Sequence, residues 1–244
     1  MRRNFQPSHI LQTMDLILFN SETDMPIYVE NNSPLLAKMR QMIVVDNIAD
    51  IQLIKNRLWN GVHAMLAWYA SLLGHETIGV AMGDARVQSL VEHLVQEIKQ
   101  GLCVCLPKRA KDLDRLAKSF VLSCQYAYKD PCQRVARDPL RKLNHNERVM
   151  GSIANNLKFD QPIDSLLWGA SLGYFYAIET FDMSLENITE HLQLNIAQLD
   201  LDHALKKKIE QSIQQHLDQL IEYPSCLKQF KSFALPEEIK SSYA

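Results

Sequence analysis

Glycine is scarce in this chain, 8 of 244 residues, and none precedes Gly61. A dinucleotide-binding βαβ unit needs a glycine-rich turn after its first strand, because the backbone must approach the pyrophosphate closely. Residues 1–60 contain no such turn. The 5 cysteines are odd in number, and "CVC" at residues 103–105 is not a C-x-x-C pair. Neither a zinc site nor a disulfide framework is indicated, and reduced, buried thiols in a cytoplasmic protein are the expectation. No sign of charge dominates: 26 basic against 28 acidic residues give −2. That excludes a strongly basic nucleic-acid surface and an acidic solvating tail. Long hydrophobic runs are missing too. The longest, "GVHAMLAWYASLLGH", is too short to span a bilayer. The N-terminal "MRRNFQPSHILQTMDLILFN" has no unbroken apolar region and no small-residue cleavage site, so no signal peptide is expected.

What is present is core-forming material, with 47% hydrophobic residues. "DLILFN" and "PIYVE" suggest short strands bounded by Asn, Ser, Asp and Pro, and "MIVVDN" is a third strand or a turn. From about residue 47 the periodicity turns helical. Ile51, Ile54, Leu58, Val62, Met65, Leu66, Tyr69 and Leu73 recur at three- and four-residue steps, predicting a helix over 48–73 stopped by Gly74. A short helix is expected in "ETIGVAM", then one from an Asp84 N-cap to Gly101. "DLDRLAKSFVLSCQYAY" is helical, and "KDPCQRVARDPL" is a proline-punctuated connection. "NERVMGSIANNL", "DSLLWGASLGYFYAIETF", "SLENITEHLQL" and "DHALKKKIEQSIQQHLDQLIEYP" complete the helices. The fold class is therefore mainly α: a helical domain over 47–244, preceded by a strand-containing segment over 1–46 too short to be an independent domain.

The helix over 48–73 holds three polar groups where a core helix favours leucine: Lys55, Asn60 and His63. At α-helical pitch, His63 lies roughly 80° and Asn60 roughly 140° around from Lys55. A desolvated lysine accepts a proton from an alcohol near neutral pH, an amide donates to the developing alkoxide, and an imidazole orients a neighbouring hydroxyl. Together they suit oxidation of a secondary alcohol without a metal. The same spacing also suits a snorkelling lysine, a surface asparagine and a satisfied core histidine.

K-x-x-x-x-N-x-x-H followed by "AMLAWYASLLGHETI" resembles the polyol-specific long-chain dehydrogenases, nearest their mannitol-1-phosphate 5-dehydrogenase branch. The similarity runs through "DARVQSLVEHLVQE" and "RVARDPLRKLNHNERVMG", covering about residues 28–157 well and the later helices more loosely. The resemblance implies a multi-helical C-terminal domain of the 6-phosphogluconate dehydrogenase C-terminal-like type. It implies Lys55 as general base, Asn60 as stabiliser of the reacting oxygen and His63 as a substrate holder. Arg134, Arg137, Arg141 and Lys142 fall in the family's basic block and are candidates for a sugar-phosphate group, though structural ion pairs would also account for them. NAD is the cofactor the resemblance implies, and a polyol or sugar phosphate the ligand.

The family begins with a Rossmann domain, and here its glycine-rich turn is missing. The expectation is a substrate half whose two early strands are the edge of a cofactor domain. Activity would need a Rossmann domain from another polypeptide, and the uncovered face allows self-association. The other reading is a truncated remnant serving as a ligand-binding or interaction module.

Remaining features point to structure. "GHETIG" lacks the second histidine of H-E-x-x-H, and Gly74–His75 reads as a turn. His93 and His145 read as surface or satisfied histidines. The G-x-x-x-G at Gly169 and Gly173 reads as close helix packing, and the three lysines of "HALKKKIEQ" as a solvated face.

Overall fold

The computed structural model describes residues 27–30, 42–127 and 129–228. The chain divides into two compact units, residues 1–49 and 50–244. In the first, β1 (Ile27–Glu30) and β2 (Met42–Val45) pair in parallel, Ile27 opposite Met42 and Glu30 opposite Val45. The expected strand in "DLILFN" lies outside the described residues.

The described part of the second unit is built of helices. α1 (Ile48–Ile54) runs without a break into a π-helical segment, Lys55–Gly61, and then α2 (Val62–Leu72). α3 (Ile78–Ala81), α4 (Ala85–Cys105) and α5 (Ala110–Gln125) follow. Next come α6 (Cys132–Ala136), α7 (Pro139–Lys142), α8 (Met150–Lys158) and α9 (Asp164–Phe181). α10 (Leu185–Ala197) and α11 (His203–Glu222) close the order. Among the described residues, no helix is long and apolar enough to cross a membrane.

α2 and α9 form the centre. Residues Ala64 to Ala70 of α2 are buried without interruption, as are Ser165 to Ala177 of α9. A helix that is apolar all round has no solvent face to offer, so other helices must surround it. α9 packs against α2, α4, α7, α8, α10 and α11. The G-x-x-x-G makes the α2–α9 approach possible: a Cβ on Gly169 would strike Met65, and one on Gly173 would lie 2.6 Å from the Trp68 ring.

Local chemistry sets the ends. Gly74 takes φ 85°, and the His75 N–H donates to the Ala70 carbonyl at 2.9 Å, which terminates α2. The Asp84 carboxylate accepts from the Arg86 N–H, starting α4. α9 has a cap from another helix: buried Glu97 of α4 accepts from Ser165 N–H at 2.8 Å and Leu166 N–H at 3.0 Å. These satisfy first-turn donors that no α9 side chain reaches.

Four boundaries depart from the sequence reading. The helix over 48–73 is not α throughout, since its middle is π-helical. α4 continues past Gly101 to Cys105; Gly101 is a contact point, where a side chain would strike Asn156 of α8. The connection "KDPCQRVARDPL" contains α6 and α7, because Pro131 precedes one helix and Pro139 opens the other instead of breaking them. α8 begins only at Met150, after turns.

Candidate active site

The site grows from the π-helical segment. Closing each hydrogen bond one residue later widens the turn, so each residue advances by less than the roughly 100° of an α-helix. Six slower steps therefore reduce the angle between Lys55 and His63 below the roughly 80° of an α-helix, and five reduce that of Asn60 below roughly 140°. Both residues swing toward the side that Lys55 occupies.

Tertiary contacts hold the widened turn. The Arg57 guanidinium donates to the backbone carbonyls of Glu147 and, at 3.2 Å, Asn146, and lies where a side chain on Gly151 would be. Burial pushes its pKa down to about 10. Leu58 is buried, and Gly61 passes close to the Arg148 carbonyl, which a Cβ would approach at 3.3 Å. Trp59 meets Phe120 of α5 edge-on at 5.4 Å. A cavity of about 330 Å³ borders Arg57, Asn146, Gly151, Asn155 and Lys158. It lies on the Arg57 side of the segment, and Lys55, Asn60 and His63 are not among its lining residues.

The seven residues singled out from sequence take different positions. Lys55 is exposed and Asn60 half-buried. His63 packs its ring edge-on to Phe120 at 6.1 Å, and its Nε2 is buried 3.9 Å from Asp130 Oδ2. Burial lowers the His63 pKa to about 4; Asp130 opposes the shift, while Arg134 and Lys142 add to it. His63, Arg134 and Lys142 therefore share one electrostatic neighbourhood. Arg134 is exposed, and its Nε donates to Asp130 Oδ1 at 2.8 Å. Arg137 is exposed, and Arg141 is exposed with Glu147 3.6 Å away.

Lys142 is the unexpected member. Only 5% exposed, it donates from Nζ to the Val135 carbonyl at 2.5 Å. Burial, then the cations Arg148, Arg141 and Arg137, bring its pKa down to about 8 against the pull of Asp138. Of the two candidate lysines, Lys142 is held out of water and Lys55 stays in solvent. α7 gathers these cations through a strained start, with Asp138 at φ 55° and ψ 53° ahead of Pro139.

Sequence reasoning passed over Asp130, Arg57 and Arg148. Asp130 had a usable signal, the i,i+4 spacing to Arg134. Arg57 had none, because its partners lie about ninety positions along the chain.

The described residues do not fit a dinucleotide. β1 and β2 have no glycine at their ends, and the first glycine of the chain lies inside the π-helical segment. A nicotinamide cofactor would have to be held by other residues.

Known proteins resemble this chain in sequence and in fold. The mannitol-1-phosphate 5-dehydrogenase of Clostridium acetobutylicum is 29% identical over 122 residues, 49% of this chain and 31% of that protein. The fold matches Pseudomonas fluorescens mannitol 2-dehydrogenase, solved as a ternary complex with NAD and D-mannitol. There the TM-score is 0.53 at 14% identity, over 78% of this chain and 42% of that one. A D-sorbitol dehydrogenase in substrate-free form matches with TM-score 0.60 and 14% identity, over 80% and 44%. The chain spans about a third of the curated relative's length and less than half of each structural neighbour. Residues 47–234 match the mannitol dehydrogenase C-terminal domain, and the chain belongs to that family.

Proposed function

We propose that this chain is the substrate-binding and catalytic half of an NAD-dependent polyol-phosphate oxidoreductase of the mannitol 1-phosphate to fructose 6-phosphate type. The observation that supports it most is the π-helical segment, whose smaller rotation per residue brings Asn60 and His63 closer in angle to Lys55 than an α-helix would, together with the charges of Arg134 and Lys142 felt at His63.

The named residues account for the oxygen and proton side of the reaction. The Lys55 amine accepts the proton of the reacting hydroxyl, and the Asn60 amide donates to the oxygen as it gains negative charge. His63 is neutral near pH 7 and holds a hydroxyl by hydrogen bonding rather than by charge. Arg141, with Arg134, Arg137 and Lys142, forms the cationic side for the phosphate, where planar guanidinium forks match its oxygens. Accepting the hydride is the chemistry of a nicotinamide cofactor, bound by residues outside those described. Lys55 is exposed here, and an amine must lose water to work as a base near neutral pH. A cofactor domain packed over that face would remove the water.

Two measurements test this reading. The purified chain alone should show no NAD-dependent oxidation of mannitol 1-phosphate, and turnover should emerge on mixing with a separately produced Rossmann-domain subunit. Robust turnover by the chain alone would overturn the claim that it is half an enzyme. Mannitol 1-phosphate should also raise the melting temperature of the chain. The rise should survive Lys55→Ala and vanish in Arg141→Ala; a rise unaffected by Arg141→Ala would remove the phosphate role.

A further inference from the structure

His63 has a buried Nε2 with no hydrogen-bond partner among the described residues. Asp130 Oδ2 lies 3.9 Å from that atom, too far for a hydrogen bond but close enough for its charge to act on the ring. Asp130 is fixed by its backbone: its carbonyl accepts from Ile78 N–H at 2.9 Å, and its own N–H donates to the Ala127 carbonyl at 3.0 Å. Its carboxylate is divided between two tasks. Oδ1 accepts from Arg134, and Oδ2 faces the imidazole.

We propose that Asp130 is a positioning residue for the substrate pocket, holding the His63 ring with its proton on Nε2 and, through its other oxygen, fixing the Arg134 guanidinium beside it. A carboxylate facing Nε2 favours the tautomer that points N–H at it. Nδ1 is then left as a hydrogen-bond acceptor. Because Nε2 is buried, the 21% of the side chain that is exposed lies on its other atoms. The lone pair of Nδ1 is the acceptor available to a polyol O–H. Catalytic hydrogen bonds are commonly long before substrate arrives and shorten in the complex, which accounts for 3.9 Å.

Burial is the main reason the ring stays neutral, and the ion pair of Asp130 with Arg134 adds to it. A bare carboxylate beside a buried imidazole would draw a proton onto it and destroy the acceptor. The charged groups facing His63 are Asp130, Arg134 and Lys142, and the two cations offset the one anion. Phe120 packs edge-on against the imidazole and is itself flanked by Trp59.

The inference rests on His63 serving the proposed substrate pocket, but its test does not need turnover. Histidine-¹⁵N-labelled chain is examined by long-range proton–nitrogen NMR, with His63 assigned by its loss in His63→Gln. The wild-type ring should be neutral at pH 7 with its proton on Nε2. In Asp130→Ala that preference should vanish into a mixture of tautomers, while the other histidines keep their shifts. In Arg134→Ala the Nε2 proton should remain and the titration midpoint should rise from about 4. A proton on Nδ1 in the wild type, or an unchanged tautomer in folded Asp130→Ala, overturns the proposal. Should Asp130→Ala not fold, Arg134→Ala decides: an unmoved midpoint sinks it, because exposed Arg134 would then not be offsetting Asp130. Adding mannitol 1-phosphate to the wild-type sample separates the two readings. Absence of any His63 response removes the substrate pocket while leaving the tautomer result standing.

Discussion

The π-helical segment and α9 begin from similar material and end differently. Both lie in stretches whose apolar spacing predicts an uninterrupted helix. α9 keeps regular geometry, buries nearly its whole circumference and finds polar partners in its own turns and in neighbouring helices. The Ser171 hydroxyl donates to the Leu167 carbonyl at 2.9 Å, and Tyr174 meets His191 at 3.2 Å. The segment Lys55–Gly61 gives up regular geometry, leaves Lys55 in water and spends a buried arginine on two backbone carbonyls. One helix keeps the regular geometry that packing favours; the other departs from it where a guanidinium from within the turn reaches a distant loop. Widened turns of this kind are frequent at functional sites.

The contrast breaks most severely at Trp68, where the two helices touch. Trp68 is fully buried, its Nε1–H donates to the Ala136 carbonyl at 2.9 Å, and its ring lies against Gly173. Trp68→Ala should cost about 3–5 kcal/mol in urea denaturation. Because Ala136 belongs to α6, the same variant should also loosen the segment that carries Asp130 and Arg134.

A second effect separates the two helices by pH. The His63 pKa falls from 6.5 to about 4 on folding, so between these values the unfolded chain binds a proton that the folded chain does not. Stability is retained above pH 6.5 and is lost as pH falls toward 4, by on the order of 3 kcal/mol. Denaturation of wild type and His63→Gln at pH 7 and pH 4.5 checks this. The variant should lose less stability on acidification, and equal losses would mean that His63 is not held neutral.

Gly173→Ala examines the packing side. The new methyl would lie 2.6 Å from a rigid indole, and the expected loss is about 1–3 kcal/mol by thermal denaturation. A neutral result would show that α2 and α9 can part without penalty.

The smallest expected change has the opposite sign. Lys142 has its pKa lowered from 10.5 to about 8, so its burial costs stability below pH 8, and that cost disappears above pH 10.5. Lys142→Met should stabilise the chain at pH 7 by about 1 kcal/mol while weakening its response to mannitol 1-phosphate. Gain and loss together would mark a charge kept for binding rather than for folding. A loss of stability would mean that the bond to Val135 outweighs the burial.

Much of the architecture is legible in the sequence because it rests on short-range rules. Period-three-and-four apolar spacing located α2 and α4, near-continuous apolar residues located α9, Asp84 opened α4, and Gly74 closed α2 with its positive φ. The glycines of "GASLGYF" read as close packing, and they are where α2 meets α9. The site was legible only as a set of candidates. Lys55 and His63 appear poorly aligned when the helix is taken as α, because nothing in "KNRLWNG" announces a wider turn.

The sequence by itself determined the helical class and the helix ends with local caps, and it singled out Lys55, Asn60 and His63 as polar groups in an apolar helix, since each follows from neighbours within a few positions. Tertiary structure alone decided the π-helical turn, the burial of Lys142 and the placing of Asp130 beside His63. Those depend on Arg57 reaching Glu147 and on α6 docking against α2, contacts between residues far apart in the chain that no local spacing encodes.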